Sequence, residues 1–305
     1  MENSVLSTNC LTKKYGSHNA VDSVTLNVKK GDIYGFIGKN GAGKTTFMKM
    51  VCGMVKPTSG EISLFGRTGA ESEALRSRIG ALIEAPGLFA NMTAADNLNM
   101  KMLALGIHKK GYAEEILSLV GLSDAGKKKT ADFSMGMKQR LGIGLALVGE
   151  PDLLMLDEPI NGLDPQGIAE VRETVLTLNR ERGMTVMISS HILEELSKIA
   201  TCYGIIDKGR LIKKLTKDEL AAQCKEHIEI KLDLPEKACA VLDGMGVGSY
   251  RVTDKNTICV YEQLDRSGEI NIALIQAGVK LNSIFVASDD IEKYFLDVTG
   301  GAENA

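Results

Sequence analysis

The amino-acid sequence predicts an α/β fold followed by a smaller α+β domain of ferredoxin-like order. Three observations lead to this prediction. A glycine-rich loop near residue 40 stands between an apolar run and a helical pattern, and buried strands alternate with helices between residues 150 and 190. After residue 215 the elements follow the order β-α-β-β-α-β. A chain of 305 residues is long enough for one large and one small domain.

The glycine-rich loop Gly38–Thr46 reads GKNGAGKTT and matches the pattern G-x-x-x-x-G-K-[ST]. An apolar run typical of a buried strand precedes it in 30–38, and a helical pattern follows over 45–51. Glycines let backbone N–H groups approach phosphate oxygens, and the helix dipole attracts the same anion. The loop therefore predicts a nucleotide site; the alternative is a glycine-rich turn with a chance lysine. The residues expected to contact the nucleotide are Gly38, Lys39, Asn40, Gly41, Ala42, Gly43, Lys44, Thr45 and Thr46.

Two carboxylates follow a second buried strand. The continuous apolar run 153–156 ends in Asp157 and Glu158. We expect Asp157 and Thr45 to hold Mg²⁺, Lys44 to contact the β- and γ-phosphates, and Glu158 to polarise the attacking water. The alternative is a pair of acids that only end the strand and cap the next element.

The other elements of the N-terminal region surround these two motifs. Residues 1 to about 66 have a β-rich pattern, and apolar residues alternate over 21–28 as in one half-buried strand. From about 71 to 148 the pattern is helical, with glycine breaks. A helix near 166–182 precedes another buried strand at 184–188. This alternation predicts an α/β core.

The C-terminal region has a different pattern and contains no phosphate- or metal-binding motif, which predicts an accessory module. Its order of elements is that of the ferredoxin-like arrangement. The predicted elements are strand 227–233, helix 235–244, strands 249–254 and 257–262, helix 265–277, strand 280–287 and helix 289–298.

Composition narrows the class of protein. A net charge of −3 argues against a general nucleic-acid binder, so no nucleic-acid partner is expected. Six cysteines without a C-x-x-C pair favour buried free thiols in a reducing compartment. The first residues lack the apolar core of a secretory signal, and no apolar run approaches the roughly 18–20 residues that span a bilayer. We therefore expect a cytoplasmic protein.

Further motifs, in order along the chain, make residues 1 to about 215 resemble the ATP-binding subunit of an ABC transporter. The segment FSMGMKQR at 133–140 is similar to the family signature LSGGQ, 161–164 matches the D-loop, and 204–215 resembles the closing strands. The resemblance implies that Tyr15 stacks on adenine, with a core aromatic as the alternative, and that His191 contacts the γ-phosphate. Three other histidines have no such context: His18, His108 and His227.

The family resemblance also implies cofactors and domain organisation. ATP and Mg²⁺ are the expected cofactors. An ABC-type ATP-binding domain is expected at 1–215, with a β-rich N-terminal subdomain and a helical subdomain at about 85–150. Residues 216–305 form the accessory α+β domain of this interpretation.

The signature segment implies a second subunit. Ser134 and the N–H of Gly136 would lie at the start of a helix beginning near Met137, which is a second anion-binding end. In the resembled family that end closes on ATP held by the opposite subunit. The chain has one phosphate loop, so a homodimer, or one copy paired with a relative, is expected.

Three residues depart from the family pattern. Met135 and Met137 replace a glycine and a glutamine of the signature, and Glu84 stands where the family has the Q-loop glutamine. A glutamate there is expected to be a further Mg²⁺ ligand. Our hypothesis is that Glu84 couples hydrolysis to a basic segment of the partner; the alternative is a loop acid that faces water.

The same glutamate points to a subgroup. The segments 86–89 and 91–94 follow this glutamate, and the tail lies at 288–295. Together with Glu84 they make the chain resemble the bacitracin- and lantibiotic-type exporter ATPases. This resemblance implies an ATP-hydrolysing subunit that drives a separate transmembrane permease. The expected cargo is an antimicrobial peptide or amphipathic drug moved outward. The subunit would lie on the inner face of the cell membrane through its permease.

Two other functional classes stay open at this point. A soluble ABC-type ATPase acting on ribosomes, DNA or cofactor assembly would usually carry two nucleotide domains or a long coiled-coil insertion, and neither feature is present. A sensor would close on ATP without turnover, but the candidate base Glu158 argues against that class.

Overall fold

The computed structural model describes residues 4–223, 226–288 and 291–299. The chain forms two compact units, Met1–Lys217 and Asp218–Ala305. The larger unit contains an antiparallel sheet, a six-stranded mostly parallel sheet and a group of helices. The smaller unit contains one antiparallel sheet with helices. This is the predicted combination of an α/β fold with a smaller α+β domain.

The larger unit begins with the antiparallel sheet. Strand β1 is its centre, and it pairs with β2, β3 and β5. The first elements along the chain are β1 (Ser4–Tyr15), β2 (His18–Val24), β3 (Asn27–Lys29), β4 (Ile33–Ile37), α1 (Lys44–Val51) and β5 (Ser59–Leu64).

The single strand predicted over 21–28 is wrong, because the chain breaks between β2 and β3. The buried hydroxyl of Thr8 occupies the break: it donates to the Val24 carbonyl at 3.0 Å and accepts from the Leu26 N–H at 3.1 Å. The Thr8 hydroxyl thus takes the place of a neighbouring strand as the hydrogen-bond partner of these backbone groups. The alternating apolar pattern of 21–28 does not indicate such a side-chain contact.

The six-stranded sheet positions the candidate site. Its order is β10-β9-β4-β8-β7-β6, with parallel pairing throughout except between β9 and β10. Every residue of β4, β7 and β8 is buried, as continuous apolar runs predict. The remaining elements of the unit are α2 (Gly69–Ala74), β6 (Ile79–Leu82), α3 (Ala94–Ala104), α4 (Tyr112–Leu119), α5 (Met135–Leu147), β7 (Leu153–Asp157), α6 (Pro165–Arg182), β8 (Thr185–Ser190), α7 (Leu193–Ser197), β9 (Cys202–Asp207) and β10 (Arg210–Thr216).

The prediction of helical structure from 71 to 148 is wrong at β6, which pairs in parallel with β7. The strand has four residues, too few for a period to be recognised. Its place in the sheet depends on Gly80, because a Cβ there would lie 2.1 Å from the Ala146 carbonyl oxygen of α5. The glycine thus allows α5 to pack directly on the sheet beside the candidate site.

The smaller unit has the predicted ferredoxin-like order. Its antiparallel sheet has the order β12-β13-β11-β14, and Ile228, Ile230 and Ile258 form its core with residues of α9 and α10. Residues 289 and 290 of the predicted terminal helix lie outside the described residues. The elements are α8 (Lys217–Gln223), β11 (Glu226–Leu232), α9 (Pro235–Gly244), β12 (Tyr250–Asp254), β13 (Thr257–Val260), α10 (Ser267–Gln276), β14 (Leu281–Ser288) and α11 (Ile291–Val298).

A membrane-spanning helix was not expected. Across 4–223, 226–288 and 291–299, none of the helices combines the length and the apolar character that crossing a bilayer requires.

The five described cysteines form no disulfide bond, but they are not all buried as predicted. Cys10 is exposed; it lies in β1, and its backbone has a φ of +47°. Burial raises the pKa of the Cys52 and Cys202 thiols to about 12. The sixth cysteine, Cys224, lies outside the described residues.

Alkylation separates these thiols. At pH 8 iodoacetamide should modify Cys10 well before Cys52 and Cys202, because a thiol with a pKa of about 12 is thiolate in only about one molecule in ten thousand. Timed peptide mapping by mass spectrometry measures the three rates, with the urea-unfolded chain as control. Equal rates for the three thiols in the folded chain would contradict the burial described.

Candidate nucleotide-hydrolysing site

The loop Gly38–Thr46 joins β4 to α1 and has the backbone of an anion cradle. Gly41 and Gly43 adopt φ of +81° and +106°, a region in which glycine has no steric penalty. A Cβ on Gly43 would lie 2.3 Å from the Ala20 carbonyl oxygen, so this position requires glycine. Helix α1 starts without a side-chain cap, which leaves its first N–H groups available to an anion. These donors fit a polyphosphate.

Lys44 connects the loop to the acids at the end of β7. Its side chain is 5% exposed. The Nζ atom donates to the Gly38 carbonyl at 2.6 Å and the Lys39 carbonyl at 3.2 Å, and it lies 3.0 Å from Glu158 Oε1. The ammonium is therefore at the mouth of the cradle with a carboxylate as its counter-charge.

Asp157 is buried, and each of its two carboxylate oxygens accepts a hydrogen bond from a hydroxyl group. Thr45 Oγ1 donates to Oδ2 at 2.7 Å, and Ser189 Oγ donates to Oδ1 at 2.6 Å. Asp157 and Ser189 are directly paired in the register of β7 and β8. The structure therefore brings together the two residues predicted to hold Mg²⁺, Thr45 and Asp157.

These two side chains fit the donor chemistry of Mg²⁺, which binds oxygen ligands and usually takes one or two carboxylates together with substrate phosphates. No cluster of three or more histidine, cysteine, aspartate or glutamate side chains suited to a metal occurs in the described part of the chain. The arrangement suits a cation held between protein and nucleotide rather than a cage made of protein alone.

Glu158 is held on both oxygens and has an unusual backbone. His191 Nδ1 lies 2.8 Å from Oε2, opposite the contact of Lys44 with Oε1. The residue adopts φ of +48°, a conformation that costs free energy in a non-glycine residue and is common at active sites. Its N–H donates to Ser189 Oγ at 2.9 Å, which stabilises that backbone. The carboxylate is thereby aimed at the mouth of the cradle.

Comparisons with known proteins agree with this geometry. The family model described as ABC transporter matches residues 21–161. The bacitracin transport ATP-binding protein BcrA of Bacillus licheniformis is 43% identical over 300 residues, which cover 97% of this chain and 98% of that protein. The chain belongs to the ATP-binding subunits of ABC transporters. It is therefore an ATPase of the ABC type.

Other relatives of this ABC subunit give the same result. The lantibiotic transport ATP-binding protein SrtF of Streptococcus pyogenes is 45% identical over 202 residues, covering 66% of this chain and 86% of that protein. Among solved structures, CbiO1 of Clostridium perfringens, part of an ABC transporter complex, has a TM-score of 0.66 at 26% identity, covering 73% of this chain and 92% of that chain. An ATP-binding subunit of another ABC transporter has a TM-score of 0.62 at 31% identity, with 72% and 92% covered.

The signature segment of the ABC subunit differs in one respect from the prediction. Helix α5 begins at Met135, not near Met137, because Ser134 is itself the cap and its Oγ accepts from the Met137 N–H at 3.2 Å. Gly136 therefore lies within the first turn. No hydrogen bond or ion pair joins Ser134 or Gly136 to the phosphate loop in the part of the chain described. The structure leaves these two predicted site residues apart from the loop.

Tyr15 lies at the end of β1 with an accessible ring. The residue is 51% exposed, and the Nζ atom of Lys13 lies 5.0 Å from the ring centroid. An exposed aromatic face suits stacking on a purine, so Tyr15 is not the core aromatic that was the alternative. Among the described contacts none links Tyr15 to the phosphate loop.

Glu84 does not join the Thr45 and Asp157 pair. Its Oε1 lies 2.5 Å from the Nζ atom of Lys49 on α1, and its side chain is 64% exposed. The residue also adopts φ of +64°. The glutamate that replaces the family's glutamine therefore forms an ion pair with α1, the helix that follows the phosphate loop.

Met135, which replaces a glycine of the family signature, contacts the D-loop. Met135 is 54% exposed, and its Cε lies 3.3 Å from the position that a Cβ on Gly162 would occupy. A long flexible side chain thus covers the D-loop glycine, which itself has φ of +73°.

Ser189 is a residue of the site that the sequence analysis above does not predict. It orients both acids, since it donates to the Asp157 side chain and accepts from the Glu158 backbone. The available indication was its place in Ser189-Ser190-His191 at the end of a buried strand, where only the histidine was interpreted. The contact of the Ser189 hydroxyl with Asp157 can be predicted only when the strand order, with β8 beside β7, is known.

Replacing Ser189 should impair turnover more than ATP binding. Ser189→Ala removes a hydrogen bond to a charged group worth about 1.5–3 kcal/mol, so we expect kcat to fall about ten- to a hundredfold. The effect on KM for ATP should be smaller, and Ser189→Thr should restore part of kcat. Steady-state ATPase assays measure both constants.

The matched control for this loss is Thr174→Val. It removes another buried hydroxyl, which donates to the Glu170 carbonyl of its own helix at 2.8 Å. Equal losses of kcat in Ser189→Ala and Thr174→Val would show that Ser189 contributes only to packing.

Proposed function

We propose that the chain is the ATP-hydrolysing subunit of an exporter of peptide antibiotics, and that two copies act on a separate transmembrane permease. The observation that carries the proposal is the placement of Glu158 between Lys44 and His191 at the mouth of the phosphate cradle. A binding module without turnover has no use for a carboxylate in that position.

The nucleotide residues divide into three roles in this proposal. Backbone N–H groups of Gly38–Thr46 and the ammonium of Lys44 bind phosphates, and Tyr15 stacks on the adenine. Thr45 and Asp157 hold Mg²⁺, which supplies positive charge against the phosphate oxygens when bound.

Glu158 acts as the base of the reaction. In the described state its two oxygens are occupied by Lys44 at 3.0 Å and His191 at 2.8 Å. When nucleotide is present, the Lys44 ammonium is expected to leave Glu158 and pair with phosphate oxygens instead. Glu158 then keeps His191 as its partner and has one oxygen free to accept a proton from the attacking water.

A second copy completes the site. Ser134 is exposed at the start of α5, and the first turn of that helix carries no acidic residue, so it can bind an anion held by another chain. Each chain supplies one phosphate loop and one signature helix, and a head-to-tail homodimer encloses two nucleotides.

The permease is expected to dock on a groove beside β6. A cavity of about 580 Å³ lies between the segment that follows β6 and the helices α3 and α5. Exposed apolar side chains, among them Met54, Phe89 and Leu105, line it, as in surfaces that bind a partner helix. Docking there would attach the chain to the inner face of the membrane. The segment that carries Glu84 continues into this groove, so Glu84 can report docking to α1 through Lys49.

The cargo is inferred from the relatives. The similar proteins BcrA and SrtF are named for bacitracin transport and lantibiotic transport. We propose that this chain likewise powers outward transport of an antimicrobial peptide.

The role of Glu158 predicts a separation of binding from turnover. Glu158→Gln should lower kcat by about 10²–10⁴-fold, because a general base contributes that much, while ATP binding persists. The matched control is Glu150→Gln, a surface acid that pairs with Lys109 at 3.0 Å. ATPase assays and equilibrium binding of a fluorescent ATP analogue measure the two quantities. Full turnover in Glu158→Gln would remove the proposed base.

The coupling role of Glu84 predicts a loss that depends on the permease. Glu84→Gln abolishes the ion pair with Lys49, so we expect lower permease-stimulated ATPase and lower bacitracin resistance in cells expressing both proteins. Glu73→Gln, which removes a surface acid beside Arg76, is the control. If Glu84→Gln leaves ATPase activity and transport unchanged, the coupling hypothesis is wrong.

A further inference from the structure

Most sheet edges of this chain are short or charged, as is usual for proteins that avoid pairing with other chains. In the six-stranded sheet, one edge is the four-residue strand β6, and the other edge, β10, carries three basic residues. In the sheet of the smaller unit, the edge strand β12 carries Arg251 and Asp254. These edges are poor templates for a further strand.

Strand β14 is the exception. It is the other edge of the smaller unit's sheet, and its eight residues, LNSIFVAS, contain no charge and no proline. Phe285 and Val286 are 46% and 50% exposed. They lie on opposite faces of the sheet, since Val286 pairs with the core residue Ile228 and Phe285 pairs with Glu229. A long, uncharged edge with exposed apolar side chains on both faces favours pairing with another strand.

We propose that β14 pairs antiparallel with β14 of a second copy of this chain, which joins the two four-stranded sheets into one of eight strands. A neutral strand is complementary to itself, because no like charges meet across the two-fold axis. The outer edges of the joined sheet are both β12, which is shorter than β14 and carries charged side chains, so it is a poorer template for a third copy. The pairing therefore closes at two copies.

This contact is separate from the proposed nucleotide sandwich. It uses main-chain hydrogen bonds of the smaller unit and needs no ATP. Two copies held this way remain together after hydrolysis opens the nucleotide sites, and the next closure becomes an intramolecular step. The proposal rests on the strand itself and stands whether or not the cargo assigned above is correct.

Sedimentation equilibrium of the full-length chain without nucleotide tests the proposal. The wild type should be a concentration-dependent dimer, and Val286→Lys should raise the dimer dissociation constant at least tenfold, because it adds a positive charge to each of the two paired strands and replaces an exposed apolar side chain. The matched control is Val252→Lys on β12. Val252 is 46% exposed and pairs with the core residue Ile258, so it has the same setting on the opposite edge.

Hydrogen exchange provides the second measurement. In the wild type, the amides of 281–288 should gain protection as the concentration rises, and those of 250–254 should not. Should Val286→Lys fail to fold by circular dichroism, Phe285→Lys tests the same edge from the other face. A monomeric wild type, an equal dissociation constant in Val286→Lys, or a dimer without added protection at 281–288 would each overturn the proposal.

Discussion

The structure of the site depends on one buried carboxylate. Asp157 ends β7 at 3% exposure, and a buried charge of this kind is stable only when its oxygens are hydrogen-bonded. The hydroxyls of Thr45 and Ser189 meet that requirement, and they come from the first turn of α1 and the end of β8. Three elements that are distant in the sequence are thereby held in register at the same edge of the sheet.

Several functional features are consequences of that register. Ser189 reaches the Glu158 N–H from the same position, so the left-handed backbone of Glu158 has a partner. Glu158 is then aimed between Lys44 from the loop and His191 from the segment after β8. The carboxylate of Glu158, the ammonium of Lys44 and the imidazole of His191 are brought together by the strand order rather than by any single motif.

Much of this could be predicted from sequence where the determinants are local. The phosphate loop needs glycines at fixed positions, and β4, β7 and β8 are buried on both faces, so their residues form continuous apolar runs. The ferredoxin-like order followed from alternating strands and helical periods in the C-terminal region.

The features that sequence did not reveal depend on contacts between distant segments. The break between β2 and β3 is made by Thr8, which lies 16 residues from its partner Val24. The short strand β6 exists because β7 offers it a partner and Gly80 admits α5. The pairing of Glu84 with Lys49 spans 35 residues, and the role of Ser189 requires knowing that β8 adjoins β7.

The central claim is that each nucleotide site is shared between two copies. An equal mixture of Lys44→Ala and Ser134→Arg tests it, since each variant alone damages both sites of a homodimer. A mixed dimer would pair the intact loop of one chain with the intact signature of the other. We predict that two inactive proteins regain about a quarter of wild-type ATPase activity on mixing, because about half of the dimers are mixed and each has a single intact site. A mixture as inactive as its components would contradict the account.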